Sequence, residues 1–85
     1  MASASSQILR QAVTMKYLVI IEKGPSSFGA YVPDLPGCVA VGDTTDEVKE
    51  LIREAIDLHI EDMRNRGEVV PTPTAASEYV EARVA

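Results

Sequence analysis

The chain has 85 residues, a formal net charge of −5 and one cysteine. This length predicts a single domain that buries only roughly 60–65% of its unfolded surface, so its core is thin and self-association or a partner would add stability. One cysteine excludes an internal disulfide, no segment approaches the run of about 18 apolar residues that spans a membrane, and the acidic charge argues against a nucleic-acid surface. We therefore expect a cytoplasmic protein, whose acidity either suits a basic partner or serves solubility alone.

The first half of the chain predicts a flexible extension followed by a small sheet. Residues 1–14 are rich in Ser and Ala and predict disorder or a loosely docked short helix, outside a domain that spans residues 15–85. Between the second and third β-rich runs, Pro36 and Gly37 fit the two central positions of a type II turn. Short connections predict an antiparallel meander whose strands lie within residues 17–22, 28–32 and 38–41.

One long amphipathic helix follows the third strand. Thr44 and Glu47 fit the capping box that starts a helix, and Gly67 suits its termination. Stepping about 100° per residue groups the apolar side chains in one sector, opposite the charged ones. The sector predicted to be buried contains Val48, Leu51, Ile52, Ala55, Ile56, Leu58, His59 and Met63.

The C-terminal part predicts an extended segment and a last strand. Two prolines exclude a helix in residues 68–74. Residues 78–84 predict a fourth, edge strand because valine and tyrosine favour a pleated surface, with a helix starting at Thr74 or Ser77 as the alternative. The fold class is thus α+β, in the order β-β-β-α-β, with one helix on one face of an antiparallel sheet. The bare second face predicts homo-oligomers, dimers or tetramers, through that face or a strand edge.

Several of these residues form a pattern that resembles the HicB-like antitoxin family. The matching stretches are residues 17–22, the run from Tyr31 to Cys38 containing DLPGC, the GDT that opens the helix at 42–44, and GEVVPTP at 67–73. The likeness covers about residues 15–84. The combination of DLPGC with GDT at this spacing is fairly specific for the family, whereas neither motif alone is.

The resemblance implies a partial ribonuclease-H-like fold without ribonuclease activity. It also implies a partner, a small HicA-like ribonuclease toxin that cleaves mRNA and that the antitoxin binds and occludes. Many members carry a C-terminal DNA-binding domain; since the sequence has no room for one before Ala85, we expect a short member that does not itself bind nucleic acid. The alternative is a solitary, oligomeric regulatory or ligand-binding module without a cognate toxin.

Catalysis, metal binding and cofactor binding find little support in the sequence. Ribonuclease-H chemistry needs several carboxylates around two metal ions about 4 Å apart. Among the candidate carboxylates, Asp34 and Asp43 have ready structural roles at a turn and beside a helix cap. His59 and Cys38 are better explained as packed side chains than as reactive groups. Zinc and nucleotide motifs are absent from the sequence, so we predict no catalytic, cofactor or metal residues.

Partner binding is the remaining function, and we predict that strands one to three and the acidic loops beside them form the surface. An acidic domain gains association rate with a basic ribonuclease from opposite charge and gains affinity from a few apolar anchors. The residues predicted to contact the partner are Tyr31, Asp34, Leu35 and Asp43.

Overall fold

The computed structural model describes residues 14–85 and contains three strands followed by one helix. The elements are β1 (Ile20–Lys23), β2 (Phe28–Tyr31), β3 (Val39–Gly42) and α1 (Thr45–Asn65). The strands pair antiparallel in the order β1-β2-β3. The predicted α+β class, meander and helix are therefore confirmed, whereas the predicted N-terminal extension falls on residues 1–13, outside the described residues, and on Thr14.

Both ends of α1 are fixed by the residues that predicted them. The Thr44 hydroxyl accepts a hydrogen bond from the Glu47 backbone N–H at 3.1 Å, and the Glu47 carboxylate accepts one from the Asp43 N–H at 3.0 Å. At the other end Gly67 adopts a φ of 74°. Glu68 and Gly67 donate to the carbonyls of residues 63 and 64, which is the Schellman arrangement. These caps satisfy backbone groups that a helix otherwise leaves unpaired.

The core lies between α1 and the β2 and β3 strands, which are the strands that the helix packs against. Gly42 permits the close approach, because a Cβ at this position would lie 2.9 Å from the Val48 backbone nitrogen. Leu58 is 66% exposed and His59 is half-buried, so the buried sector of the helix is narrower than the periodicity predicts. The buried residues are Ala30, Val32, Leu35, Cys38, Val48 and Ile52.

The opposite face of the sheet is uncovered within residues 14–85, as the single helix predicts. Ala30 and Ala40 form a cross-strand pair that faces α1. Their strand neighbours Val39 and Val41 point the other way because side chains alternate along a strand, and these valines are 63% and 66% exposed.

The predicted fourth strand is not present, and neither is its helical alternative. No strand or helix is assigned after α1, and Tyr79, Val80 and Val84 are between 79 and 105% exposed. The longest dimension of the chain is 67 Å and its radius of gyration is 17.1 Å, against about 12 Å for a compact chain of this length. A strand needs an edge to pair with, and residues 78–84 lie away from both edges of their own sheet.

We expect Gly42→Ala to destabilise the fold by about 1–3 kcal/mol, because the added methyl meets the backbone of α1 and the helix has to shift. Gly29→Ala is the matched control, since a Cβ on Gly29 has nothing within 4 Å. Urea denaturation monitored by circular dichroism measures both. Equal free energies of unfolding for the two variants would contradict the close packing of α1 on β3.

Candidate protein-binding surface

The uncovered side of the sheet forms one continuous surface, which we call the open face. Residues that pair across an antiparallel sheet share a face, so the register defines two rows of side chains. One row is Ile20, Tyr31 and Val39, and the other is Glu22, Gly29 and Val41. The open face is therefore largely apolar, and Gly29 leaves a shallow dip in its second row.

Two acidic groups lie at one end of this apolar surface. Glu22 belongs to the open face itself, and Asp43 is exposed just beyond the end of β3. The basic side chain of Arg66 is engaged in ion pairs with Asp62 at 2.9 Å and with Glu68 at 3.2 Å. An apolar centre with acidic groups beside it suits a protein partner of opposite charge.

The structure separates the four residues predicted to contact a partner. Tyr31 lies on the open face and is 42% exposed. Asp43 is exposed, and only its backbone N–H takes part in the helix cap. Leu35 is 1% exposed and belongs to the core, so its side chain offers no surface to a partner. The turn that carries Leu35 folds this side chain inward under α1, which alternation along the chain does not reveal.

Asp34 has an intramolecular role other than the turn role that the sequence predicts. Its carboxylate accepts hydrogen bonds from the Thr74 N–H at 3.0 Å, the Thr74 hydroxyl at 2.8 Å and the Ala75 N–H at 3.0 Å. The backbone N–H of Ala75 is the largest cause, and Thr74 the next, of a lowered pKa for Asp34. The three donors stabilise the ionised carboxylate, so Asp34 holds the chain in place 40 residues later.

A second contact fixes the same segment nearer the helix. The Tyr17 hydroxyl donates a hydrogen bond to the Pro71 carbonyl oxygen. Burial, and then the nearby Asp34 carboxylate, raise the pKa of Tyr17. Together the two contacts hold residues 71–75 across the end of the sheet at which β1 starts and β2 ends. We call this held segment and its two contacts the tether. No local pattern could have shown the tether, because its partners are 40 and 54 residues apart.

The remaining candidates for chemistry stay apart from one another. Cys38 is buried, and burial raises the pKa of its thiol, which disfavours the reactive thiolate. Within residues 14–85 no three His, Cys, Asp or Glu side chains come together as metal ligands. Over the same residues, α1 is the only helix, and it is too polar to cross a membrane.

Asp34→Ala should release residues 71–75 from the sheet, because it removes the acceptor of three hydrogen bonds. We expect faster amide hydrogen exchange at Thr74 and Ala75, measured by NMR, with little change in the core. Asp43→Ala is the control, since only the backbone of Asp43 is engaged. Unchanged exchange in Asp34→Ala would contradict the tether.

The tether should also respond to acid. A lowered pKa in the folded chain means that its stabilising effect is complete above the ordinary aspartate pKa of about 3.9 and disappears as the pH falls through the lowered value. The Ala75 amide chemical shift, followed from neutral to strongly acidic pH, should therefore titrate below pH of about 3.9. A midpoint above the ordinary value would contradict the hydrogen bonds to the carboxylate.

Comparison with known proteins places this arrangement in a family. The chain is 38% identical over 66 residues to an uncharacterised 14.9 kDa protein in the rep-hol intergenic region of Haemophilus phage HP1, over 78% of the chain and 50% of that protein. It thus spans half the length of this relative. It is also 39% identical over 69 residues to a UPF0150 protein of Thermoplasma acidophilum, over 80% of the chain and 100% of that protein.

A solved structure adds a likeness in three dimensions. A chain of a structure described as the HicA3 and HicB3 toxin-antitoxin complex matches with a TM-score of 0.62 and 33% identity, over 71% of this chain and 70% of the other. The family model for a HicB-like antitoxin of bacterial toxin-antitoxin systems matches residues 17–83. That range includes the whole sheet, α1 and the tether, and the chain therefore belongs to the HicB-like antitoxin family.

Proposed function

We propose that this chain is a non-catalytic, cytoplasmic antitoxin that binds a HicA-type mRNA-cleaving ribonuclease and occludes its RNA-binding surface through the open face. The observation that carries the proposal is the apolar row Ile20, Tyr31 and Val39 beside acidic groups. Membership of the antitoxin family and the likeness to a chain from a toxin-antitoxin complex support it. The partial ribonuclease-H-like description of the fold belongs to the same proposal.

The physical reason for binding is the cost of leaving the open face in water. Val39, Val41 and Tyr31 are large apolar side chains that a partner would dehydrate, and each fully buried one contributes about 1.5–3 kcal/mol. An anchor such as Tyr31 combines apolar area with a hydroxyl that accepts or donates a hydrogen bond, which is common at interface hot spots.

Charge governs how quickly the two proteins meet. A ribonuclease that binds RNA presents Lys and Arg to phosphates, whereas this chain carries a net charge of −5. Opposite charges steer the encounter, so the antitoxin would compete with RNA for the same basic surface. Asp43 and the Asp34 loop lie at the margin of the open face and are proposed to take part through charge. Occlusion requires no catalytic group.

Tyr31→Asp and Val41→Asp should each weaken binding of the cognate toxin roughly 30-fold or more, since they place a charge in the dehydrated centre of the interface. The toxin to use is the small basic protein encoded beside this gene. Isothermal titration calorimetry measures affinity, and rescue of growth during co-expression measures neutralisation. Leu58→Asp is the control, because Leu58 and Val41 are both 66% exposed but Leu58 lies on α1, on the other side of the sheet.

The outcomes separate the two candidate functions. Tight binding that Leu58→Asp retains and both open-face variants lose supports the proposal. No binding to the neighbouring basic protein, or none being encoded there, would overturn it and favour a solitary oligomeric regulator.

A further inference from the structure

The outer edge of β1 is unpaired within residues 14–85. β1 pairs with β2 on one side only, so its other row of backbone N–H and C=O groups has no strand to bond. Such an edge is a template for another strand. The run before it, from Tyr17 to Val19, continues the same apolar sequence, so the accessible edge is longer than the four residues of β1.

The edge lies beside an apolar groove, because α1 packs over β2 and β3 rather than over β1. The groove has a volume of about 480 Å³. We call it the β1 groove. Its apolar lining residues are Met15, Tyr17, Val19, Ile21, Ile52 and Ile56. At the end of β3 the helix packs closely, since a Cβ on Gly42 would lie 2.9 Å from the Val48 backbone nitrogen. β3 is the other edge strand within residues 14–85, but its uncovered side chains, Val39 and Val41, belong to the open face and not to a groove beside α1.

Residues 78–84 have the complementary properties. In an extended chain Val80, Ala82 and Val84 share one side, so the segment would present an apolar row to a groove. The two valines are 79 and 94% exposed in the single chain. The tether ends at Ala75, and beyond it the chain projects away from the sheet and helix, so the chain with its projecting segment measures 67 Å in its longest dimension and 28 by 23 Å in the others.

We propose that residues 78–84 of a second copy form a strand on the β1 edge, with Val80, Ala82 and Val84 in the β1 groove, and that two copies exchange these segments. The exchange is reciprocal, so a two-fold dimer satisfies both edges and closes the assembly. It also covers the apolar residues that each chain exposes at its C-terminal end. The inference is independent of toxin binding, which uses the open face.

Charge favours a second copy over the chain's own segment. The tether releases the segment at the Tyr17 end of β1, so its own segment would have to run parallel to β1. That orientation brings Glu78, on the side of Val80, towards Asp57 at the same end of the groove. A segment from a second copy can run antiparallel, which brings Glu78 towards Lys49, a lining residue of the β1 groove that is absent from the cavity shared by Tyr17 and Asp57. Arg53 also lines the groove, and it lies four residues along α1 from both Lys49 and Asp57, so it favours neither orientation. Antiparallel pairing is also slightly the more stable kind.

The first measurement is the mass of the full chain in solution by light scattering. We expect twice the chain mass of 9.2 kDa. Val80→Asp combined with Val84→Asp should raise the dimer dissociation constant roughly 100-fold or more, because two buried valines are replaced by charges. Val69→Asp is the matched control, since Val69 is an exposed valine before the tether, and it should leave the dimer unchanged.

The second measurement identifies the occupant of the groove. In a mixture of isotope-labelled and unlabelled full chains, we expect intermolecular NOEs between the methyl groups of Val80 or Val84 and those of Val19 or Ile21. Three results would overturn the proposal. They are a monomer at millimolar concentration, a dimer that survives the double substitution, and NOEs to the groove from the same chain, whether from residues 78–84 or from residues 1–13.

Discussion

The structure depends on the direct packing of α1 on β3, where Gly42 has no side chain to separate the two backbones. Because α1 lies to one side of the sheet, it covers β2 and β3 but leaves β1 uncovered. A single helix also cannot cover both faces of the sheet. The open face and the β1 groove are therefore both consequences of a single close contact, and neither requires a special local sequence of its own. They are also separate surfaces, so one partner does not exclude the other.

The tether complements this packing by fixing where the C-terminal segment leaves the body. Asp34 sits in the loop between two strands, and its carboxylate collects three donors from a segment that the two prolines, Pro71 and Pro73, keep extended. The same side chain was a candidate for partner binding because it is acidic and lies in a loop. Its geometry gives it a positioning role within the chain, and any contact with a partner would have to share the remaining acceptor capacity of its oxygens.

Features with local causes could be predicted from the sequence, and features with distant causes could not. The caps of α1 depend on residues three or four apart, and the strand runs and the Pro36–Gly37 turn depend on neighbours. The burial of Leu35 and the hydrogen bonds of Asp34 depend on which distant segments meet. The predicted fourth strand is absent for a related reason. Residues such as Val80 favour an extended conformation, but a strand also needs a neighbouring edge to pair with, and the local sequence does not supply one.

An extended C-terminal segment that a few hydrogen bonds hold only at its base is also accessible to proteases. Proteolytic cleavage requires a stretch of chain that adapts to the enzyme's active site, and accessible ends meet that requirement best. A copy whose segment is covered in an assembly would be cut more slowly than a lone one. The lifetime of the protein would then follow its state of association, with unassembled chains removed first.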